Sequence, residues 1–236
     1  MVTAVLAIAM SLLTIVPEMA VTGTPLPDHR DAFLLSRNPD SPQMPEPDQF
    51  DRELSKGKFL IASRKLGDPR FQETVILLVS YDKRGAAGLV INRPVRMSLS
   101  DAFPDSPMLK EKKDTVYFGG PVELDRLLML IRSSGKLPDA AHVFDGVYVS
   151  SSRDVLERVI GMPKTGGRFR VYAGYAGWAA GQLEREVARG DWHIIEADAK
   201  TIFEKKPEKI WPELIRRGSE LQVRIENYLK RTYLIG

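Results

Sequence analysis

The chain has 236 residues, of which 43% are hydrophobic and 28% charged, a composition ordinary for a globular protein. It contains no cysteine, which excludes disulfide bonds, thiolate metal sites and cysteine nucleophiles. The net charge of +3 is uneven, because residues 1–50 carry two basic and six acidic side chains and leave residues 51–236 with +7. Such an excess is more typical of a solvated surface than of a nucleic-acid-binding face, so nucleic acid is a disfavoured partner that composition leaves open.

The N-terminal segment is apolar and carries no charged side chain over residues 1–17. This length is short for a membrane span and fits the apolar core of a signal peptide, with a cleavage candidate at residues 21–23. No lysine or arginine precedes the apolar run, which departs from the usual signal-peptide pattern. We therefore expect residues 1–23 to be a signal-peptide-like or anchor segment that contacts a membrane.

Residues 24–52 are rich in proline and aspartate and show no apolar periodicity. This composition predicts a disordered tether between the leader and a folded domain over residues 53–236. The organisation favours an extracytoplasmic protein, either periplasmic or anchored to the membrane. The alternative is a translation start near Met44, which leaves a cytoplasmic protein.

The first half of the domain consists mainly of predicted strands. Apolar runs rich in β-branched residues predict strands at 59–63, 73–81 and 86–93. A turn signal at residues 82–85 predicts that the last two form a hairpin, and their continuous apolar runs predict burial on both faces. Pro94 is expected to end the third strand because proline cannot donate a ladder hydrogen bond.

Strands and helices then mix in the second half. We expect strands 116–120 and 127–133 to pair, and helix 153–160 to begin at Ser152 and to end just before Gly161. The helix expected at 179–189 is predicted to stop at Gly190. Further strands are predicted at 143–151, 168–175 and 192–198, and further helices at 179–189, 211–215 and 221–228. With no repeated βαβ unit, this order predicts an α+β domain with mixed sheets.

Catalytic motifs are weak. Residues 133–136 match S-x-x-K and residues 164–166 match K-T-G, but Gly135 and Pro138 interrupt the helix that this chemistry needs. No nucleophile elbow and no glycine-rich phosphate loop occurs. The three histidines lack metal-ligand spacing: His29, His142 and His193. We therefore predict no catalytic residue, no metal site and no cofactor.

Three short stretches remain as candidates for a binding site. Asn92 and Arg93 follow a predicted strand, residues 119–122 form a tight corner, and residues 175–178 open a helix that contains Gln182. If the three converge, they form a pocket with aromatic walls, an amide and a guanidinium. The ligand-binding side chains would then be Asn92, Arg93, Tyr175, Trp178 and Gln182. In the alternative, the glycines and prolines shape turns, Trp178 fills the core and Arg93 pairs with a buried carboxylate.

These stretches carry a resemblance to a known family. The matching segments are GKFLIAS (57–63), Asp68, Phe71, TVILLVSY (74–81), GLVINRP (88–94), GGPV (119–122), GYAGWAAGQLEREV (174–187), Trp192 and Trp211. In their order and spacing they resemble the YqgE/AlgH family, bacterial proteins often labelled transcriptional regulators. The resemblance implies a single compact α+β domain of coiled, bifurcated mixed β-sheets with flanking helices. It brings no agreed catalytic residues.

The family signature also includes positions that we expect to be structural: Gly119, Gly120, Pro121, Gly174, Gly177 and Gly181. Two features of this chain depart from the family pattern. A long extension precedes Gly57, and Ile131-Arg132 stand where members usually have Leu-His.

Three functions follow from these observations. The favoured one is a non-enzymatic binding or accessory protein, whose partner is an unknown protein or small-molecule ligand. The first alternative is a cytoplasmic transcriptional regulator, although no helix-turn-helix is visible in the sequence. The second alternative is a hydrolase or transferase with an unrecognised site.

Overall fold

The computed structural model describes residues 54–104, 106–161 and 168–218. The predicted leader, the tether, the K-T-G match and the helix at 221–228 lie outside the described residues. Within them the strands are β1 (Lys58–Ala62), β2 (Val75–Asp82), β3 (Gly85–Val90), β4 (Pro94–Ser98), β5 (Thr115–Phe118), β6 (Val122–Arg132), β7 (Ala141–Phe144), β8 (Val147–Ser150), β9 (Arg168–Ala179) and β10 (Trp192–Glu196). The helices are α1 (Leu99–Ala102), α2 (Arg153–Gly161), α3 (Gln182–Ala188), α4 (Ala199–Phe203) and α5 (207–218).

Strand β9 organises the sheet. The main path is β10-β1-β2-β3-β9-β6-β8-β7, and β5 leaves this path by pairing with β9 and β4. The first half of β9 pairs antiparallel with β6 and parallel with β5, whereas its last four residues pair antiparallel with β3. The sheet therefore splits along β9, which confirms the expected α+β domain with a coiled, bifurcated mixed sheet.

The predicted hairpin of β2 and β3 is confirmed, with Ile76 opposite Val90. Burial on both faces holds for residues 75–78, beyond which exposed and partly exposed residues alternate along β2. The prediction for Pro94 is wrong, because β3 already ends at Val90 and Pro94 begins β4. Proline is tolerated at the first residue of a strand, where its missing N–H leaves the ladder intact.

Two strand predictions need correction. The runs at 116–120 and 127–133 are strands but do not pair, because β9 lies between them and its Val171 is opposite both Val116 and Met129. The run at 143–151 is the β7–β8 hairpin rather than one strand. Its turn consists of Asp145 and Gly146, both at positive φ, as a tight two-residue hairpin turn requires.

The helices begin largely where the capping residues predict. The Val155 N–H donates to the Ser152 hydroxyl at 3.4 Å, which confirms the N-cap of α2, although Gly161 is its last residue. Helix α3 begins at Gln182, three residues later than predicted, because residues 176–179 still pair with β3. Its end is close to the prediction, with Gly190 at a φ of +81°.

Two apolar clusters stabilise the described residues. The larger contains β1, β2 and β3 together with Trp178, Trp192 and Trp211. The smaller packs α1 and α2 against β5, β6 and the start of β9. No helix among the described residues is long and apolar enough to cross a bilayer.

Candidate functional site

The glycines of the signature make a backbone crossing. Because β5 and β6 pair with opposite edges of β9, residues 119–121 must pass across β9 between them. They cross at Gly174, where a Cβ built on Gly119 would lie 2.2 Å from the Gly174 carbonyl oxygen. A Cβ on Gly174 would lie 2.4 Å from the Gly120 oxygen, and Gly174 has a φ of +68°. No larger residue fits at this approach, so these three glycines are required for the fold.

Asn92 and Arg93 fasten the loop that follows β1. The Asn92 side chain accepts a hydrogen bond from the Val75 N–H and donates one to the Glu73 carbonyl, both at 2.9 Å. The Arg93 guanidinium donates to the carbonyls of Arg70 at 2.8 Å and of Gln72 at 2.7 Å. The expected alternative partner of Arg93, a buried carboxylate, is therefore wrong: Arg93 binds backbone oxygens.

The fastened loop forms one wall of a cleft of about 490 Å³. The other walls come from Pro121 and Val122, from Gly177 and Trp178 at the end of β9, and from α3 and the start of β10. We call this space the β9 cleft. Segments that are distant in sequence thus meet around the end of β9.

Glu186 lies at the centre of the polar contacts in the β9 cleft. Its Oε2 accepts hydrogen bonds from the indole N–H groups of Trp178 and Trp192, both at 2.9 Å. Its Oε1 accepts from the Gln182 amide at 3.0 Å. Gln182 and Glu186 are four residues apart in α3 and therefore share a helix face. The Gln182 oxygen in turn accepts from the Ala179 N–H, which fixes the start of α3.

Three aromatic rings line the β9 cleft that contains this carboxylate. Trp178 and Trp192 meet edge to face, with ring centroids 6.2 Å apart, and Phe71 meets Trp192 in the same way at 6.1 Å. Edge-to-face pairs fix ring orientation as well as bury apolar area. Both indoles are buried, so the aromatic side of the β9 cleft is largely preformed.

The charged side chains of the β9 cleft are mostly paired. Arg70 binds Asp68 through Nε and Nη2, and this hydrogen bonding holds the pKa of Asp68 below its usual range. Arg189 binds Asp191 at 2.6 Å. Glu186 has no cation within ion-pair distance among the residues that the structure describes, and its three partners are neutral donors. The cleft therefore carries one carboxylate in excess.

The five predicted ligand-binding residues separate into three groups. Trp178 and Gln182 line the β9 cleft, while Asn92 and Arg93 support its wall from outside. Tyr175 points elsewhere: its hydroxyl donates to Glu123 at 3.3 Å, and burial raises its pKa. Whether any of them binds a ligand remains a prediction.

The remaining signature positions serve the fold or the cleft. Gly181 adopts a φ of +72° and turns the chain from β9 into α3. Pro121 and Gly177 line the β9 cleft. Glu186 was missed by the sequence reasoning, although its i, i+4 spacing from Gln182 and the two tryptophans nearby were a usable signal. Arg132, in the place of the family histidine, forms an ion pair with Glu204 at 3.0 Å.

A second cavity of about 210 Å³ lies beside β5 and the start of β9. Its main polar group is Arg170, whose guanidinium stacks 4.7 Å from the Tyr117 ring centre and donates to the carbonyls of Ile91 and Lys205. The contacts of Arg170 are thus internal to the fold. No cluster of potential metal ligands occurs among residues 54–104, 106–161 and 168–218.

Comparisons with known proteins give one answer. The family model described as AlgH-like (DUF179) matches residues 59–221. A UPF0301 protein from Ralstonia nicotianae is 38% identical over 165 residues, which cover 67% of this chain and 85% of that protein. The solution structure of the AlgH protein from Pseudomonas aeruginosa is 33% identical with a TM-score of 0.58, covering 68% of this chain and 87% of that one.

A crystal structure of a Corynebacterium diphtheriae protein shares the fold, with a TM-score of 0.60 and 20% identity over 70% of this chain and 87% of that one. The sequence matches and the shared architecture confirm the resemblance drawn from the signature segments. The chain belongs to the AlgH-like family, also called UPF0301.

Proposed function

We propose that the protein is a non-enzymatic binding protein that takes its ligand in the β9 cleft. The observation that carries the proposal is the cleft itself, about 490 Å³ in volume and built around two buried tryptophans and a carboxylate. Ligand sites are typically concave, a few hundred cubic ångströms in size, and combine apolar walls with a few placed polar groups. The β9 cleft has each of these properties.

The chemistry of the lining supports binding rather than catalysis. Among the described residues that line the β9 cleft there is no serine, threonine, cysteine, lysine or histidine. Covalent catalysis commonly uses such a hydroxyl, thiol or amine, activated by a neighbouring base, or else a carboxylate. Of the three carboxylates, Asp68 and Asp191 are paired with arginines, and Glu186 is held in place by two indoles and an amide.

The arrangement of the signature supports the same proposal. Trp178, Gln182 and Glu186 come from one segment, and Trp192 completes their hydrogen-bond network from β10. This network places at a cleft a carboxylate that has no ion-pair partner among the described residues. Such polar groups are a usual sign of recognition.

The test uses 5-fluorotryptophan incorporated into the full chain. The protein has three tryptophans, of which Trp178 and Trp192 line the β9 cleft while Trp211 donates to the Ala62 carbonyl elsewhere. The 19F spectrum is recorded against a panel of cationic, neutral and anionic metabolites, with signals assigned by Trp→Phe variants. We expect a ligand to shift the two cleft signals and leave the third unchanged. A panel that shifts none of them contradicts the proposal.

A blocking variant and a matched control sharpen the test. Gly67 lines the β9 cleft, has an ordinary φ, and has no atom within 4 Å of a built Cβ, so Gly67→Phe adds bulk there with no clash at the Cβ atom. Gly135 has the same freedom but does not line the cleft. We expect Gly67→Phe to weaken ligand binding about tenfold or more and Gly135→Phe to leave it unchanged.

A further inference from the structure

We infer that the ligand of the β9 cleft is a protonated amine, held by Glu186 against the aromatic walls. The inference rests on the proposed function and adds the chemical class of the ligand. Its basis is the difference between Glu186 and the other two carboxylates of the cleft, together with the rings that surround it.

Glu186 retains an acceptor position that no described residue uses. An ionised carboxylate offers about four acceptor sites, and three neutral donors occupy three of them here. Two of these donors share Oε2, so the unused position is on Oε1, which among the described residues accepts only from Gln182. A protonated amine supplies both the missing N–H donor and the missing positive charge.

The arginines make an anionic ligand a poor match. Arg70 gives both Nε and Nη2 to Asp68, and Arg189 gives both to Asp191. Each guanidinium keeps further N–H groups, but its positive charge is already balanced by its aspartate, so an anion would gain little attraction there. A cation meets no such competition at Glu186, which has no ion-pair partner among the described residues.

The rings add a second attraction for a cation. Phe71, Trp178 and Trp192 all line the β9 cleft, but the Arg70 guanidinium already lies 5.8 Å from the Phe71 ring centre, so the rings expected to attract a ligand cation are the two indoles. An ammonium group near a tryptophan face is attracted by the ring quadrupole, more strongly where water is excluded. The two indoles are buried, so a ligand that reaches Glu186 leaves bulk water.

The experiment compares three probes that share one ring: benzylammonium, benzyl alcohol and benzoate. Each is titrated into the full chain while the 19F signals of Trp178 and Trp192 are followed. We expect benzylammonium to bind at least about tenfold more tightly than the other two, as a charge-assisted hydrogen bond implies. Equal binding of benzyl alcohol, or preference for benzoate, overturns the inference and leaves the binding function in place. If none of the three probes shifts the 19F signals, the inference is overturned. The binding function is contradicted only if the wider metabolite panel also shifts no signal.

Two variants with the same change in charge locate the effect. Glu186→Gln removes the carboxylate of the β9 cleft, and we expect it to weaken benzylammonium binding about tenfold. Glu184→Gln, on the same helix, removes a carboxylate that accepts from the Tyr81 hydroxyl outside the cleft. We expect it to change binding less than about twofold. An equal effect of the two variants contradicts the inference, and the probe ranking on the unaltered protein decides it if Glu186→Gln does not fold.

The same chemistry occurs in a free amine and in the lysine side chain of a partner protein. A lysine-containing tripeptide with an acetylated N-terminus, and its acetyl-lysine counterpart, separate these sources. Tighter binding of the lysine peptide than of benzylammonium assigns the site to a partner side chain, and the reverse order assigns it to a small molecule. Equal binding of the acetylated peptide contradicts the inference.

Discussion

Two regions of β9 a few residues apart, one at Gly174 and one at Trp178, have opposite roles. At Gly174 the chain is crossed by Gly119 and Gly120 so closely that a single methyl group would meet backbone atoms. At Trp178 the same strand opens onto the β9 cleft, where a carboxylate keeps an acceptor position free. One continuous signature, GYAGWAAGQLE, therefore contains both a requirement of the fold and a candidate binding surface.

The predicted ligand-binding side chains also divide between the fold and the β9 cleft. The side chains of Asn92 and Arg93 hydrogen-bond to backbone atoms of residues 70–75. Like the glycine crossing, they therefore serve the fold. Gln182 and Glu186 belong with the cleft. Variants on the two sides should therefore change different measured quantities.

The largest expected effect is at the crossing. Gly174→Ala places a Cβ 2.4 Å from the Gly120 oxygen at a left-handed φ, so we expect the free energy of unfolding to fall by about 4 kcal/mol or more. Urea denaturation followed by circular dichroism measures this. The control Gly135→Ala meets no atom within 4 Å and should stay within about 1 kcal/mol of the original protein. Equal stability of the two variants would show that the crossing is not required.

A smaller loss is expected at Arg93. Arg93→Ala removes two hydrogen bonds to the loop carbonyls of Arg70 and Gln72, so the free energy of unfolding should fall by about 2 kcal/mol. Arg93→Lys, which keeps the charge and one donor group, should recover part of the loss. Denaturation without ligand is the measurement. An unchanged stability for Arg93→Ala would assign Arg93 to ligand binding instead.

Changes to the two tryptophans of the β9 cleft should lower both stability and ligand binding, with a smaller loss of stability than at Arg93. Trp178→Phe removes one indole donor from Glu186, and we expect a loss of about 1.5 kcal/mol of stability together with weaker ligand binding. Trp211→Phe removes the hydrogen bond to the Ala62 carbonyl outside the cleft and should reduce stability alone. Denaturation and the 19F titration are run on both variants. Equal effects on binding would contradict the placement of the site.

The smallest effect concerns pH and should leave the cleft unaffected. Burial lowers the pKa of His193 below its ordinary value near 6.5, and this side chain lies on the opposite face of β10 from Trp192. As the pH falls through about 6.5 the unfolded state takes up the proton first, so stability decreases until the pH passes the folded-state pKa. His193→Gln should show a shallower decrease between pH 7.5 and 5. Identical pH profiles would rule out this contribution.

Much of the fold follows from the sequence because its signals are local. The apolar runs gave the strands, Ser152 gave a helix start, and the signature gave the family. The predicted pairing of strands 116–120 and 127–133 was wrong. It relied on the rule that consecutive strands are usually neighbours, and no local sequence signal predicts that β9 lies between them. The β7–β8 hairpin was missed although Asp145-Gly146 is a recognisable turn pair.

The candidate site was harder to predict, for a physical reason. Arg93 was predicted to bind a ligand because of its residue type. A guanidinium can hydrogen-bond either an anionic ligand or loop carbonyls, and which it binds depends on where the backbone passes. Glu186 lies in the charged run LEREVAR, which has the composition of a solvated helix face. Its role depends on Trp192, which reaches it from β10 and is not on the same helix.

The most direct test of the separation between fold and cleft measures stability and binding on two variants side by side. Asn92→Ala loses its bonds to Val75 and Glu73 and should be about 1–2 kcal/mol less stable, yet bind the cleft ligand within about twofold. Gly67→Phe should keep its stability within about 0.5 kcal/mol and lose ligand binding. If folded Asn92→Ala fails to bind while Gly67→Phe binds normally, the ligand site is at Asn92 and not in the β9 cleft.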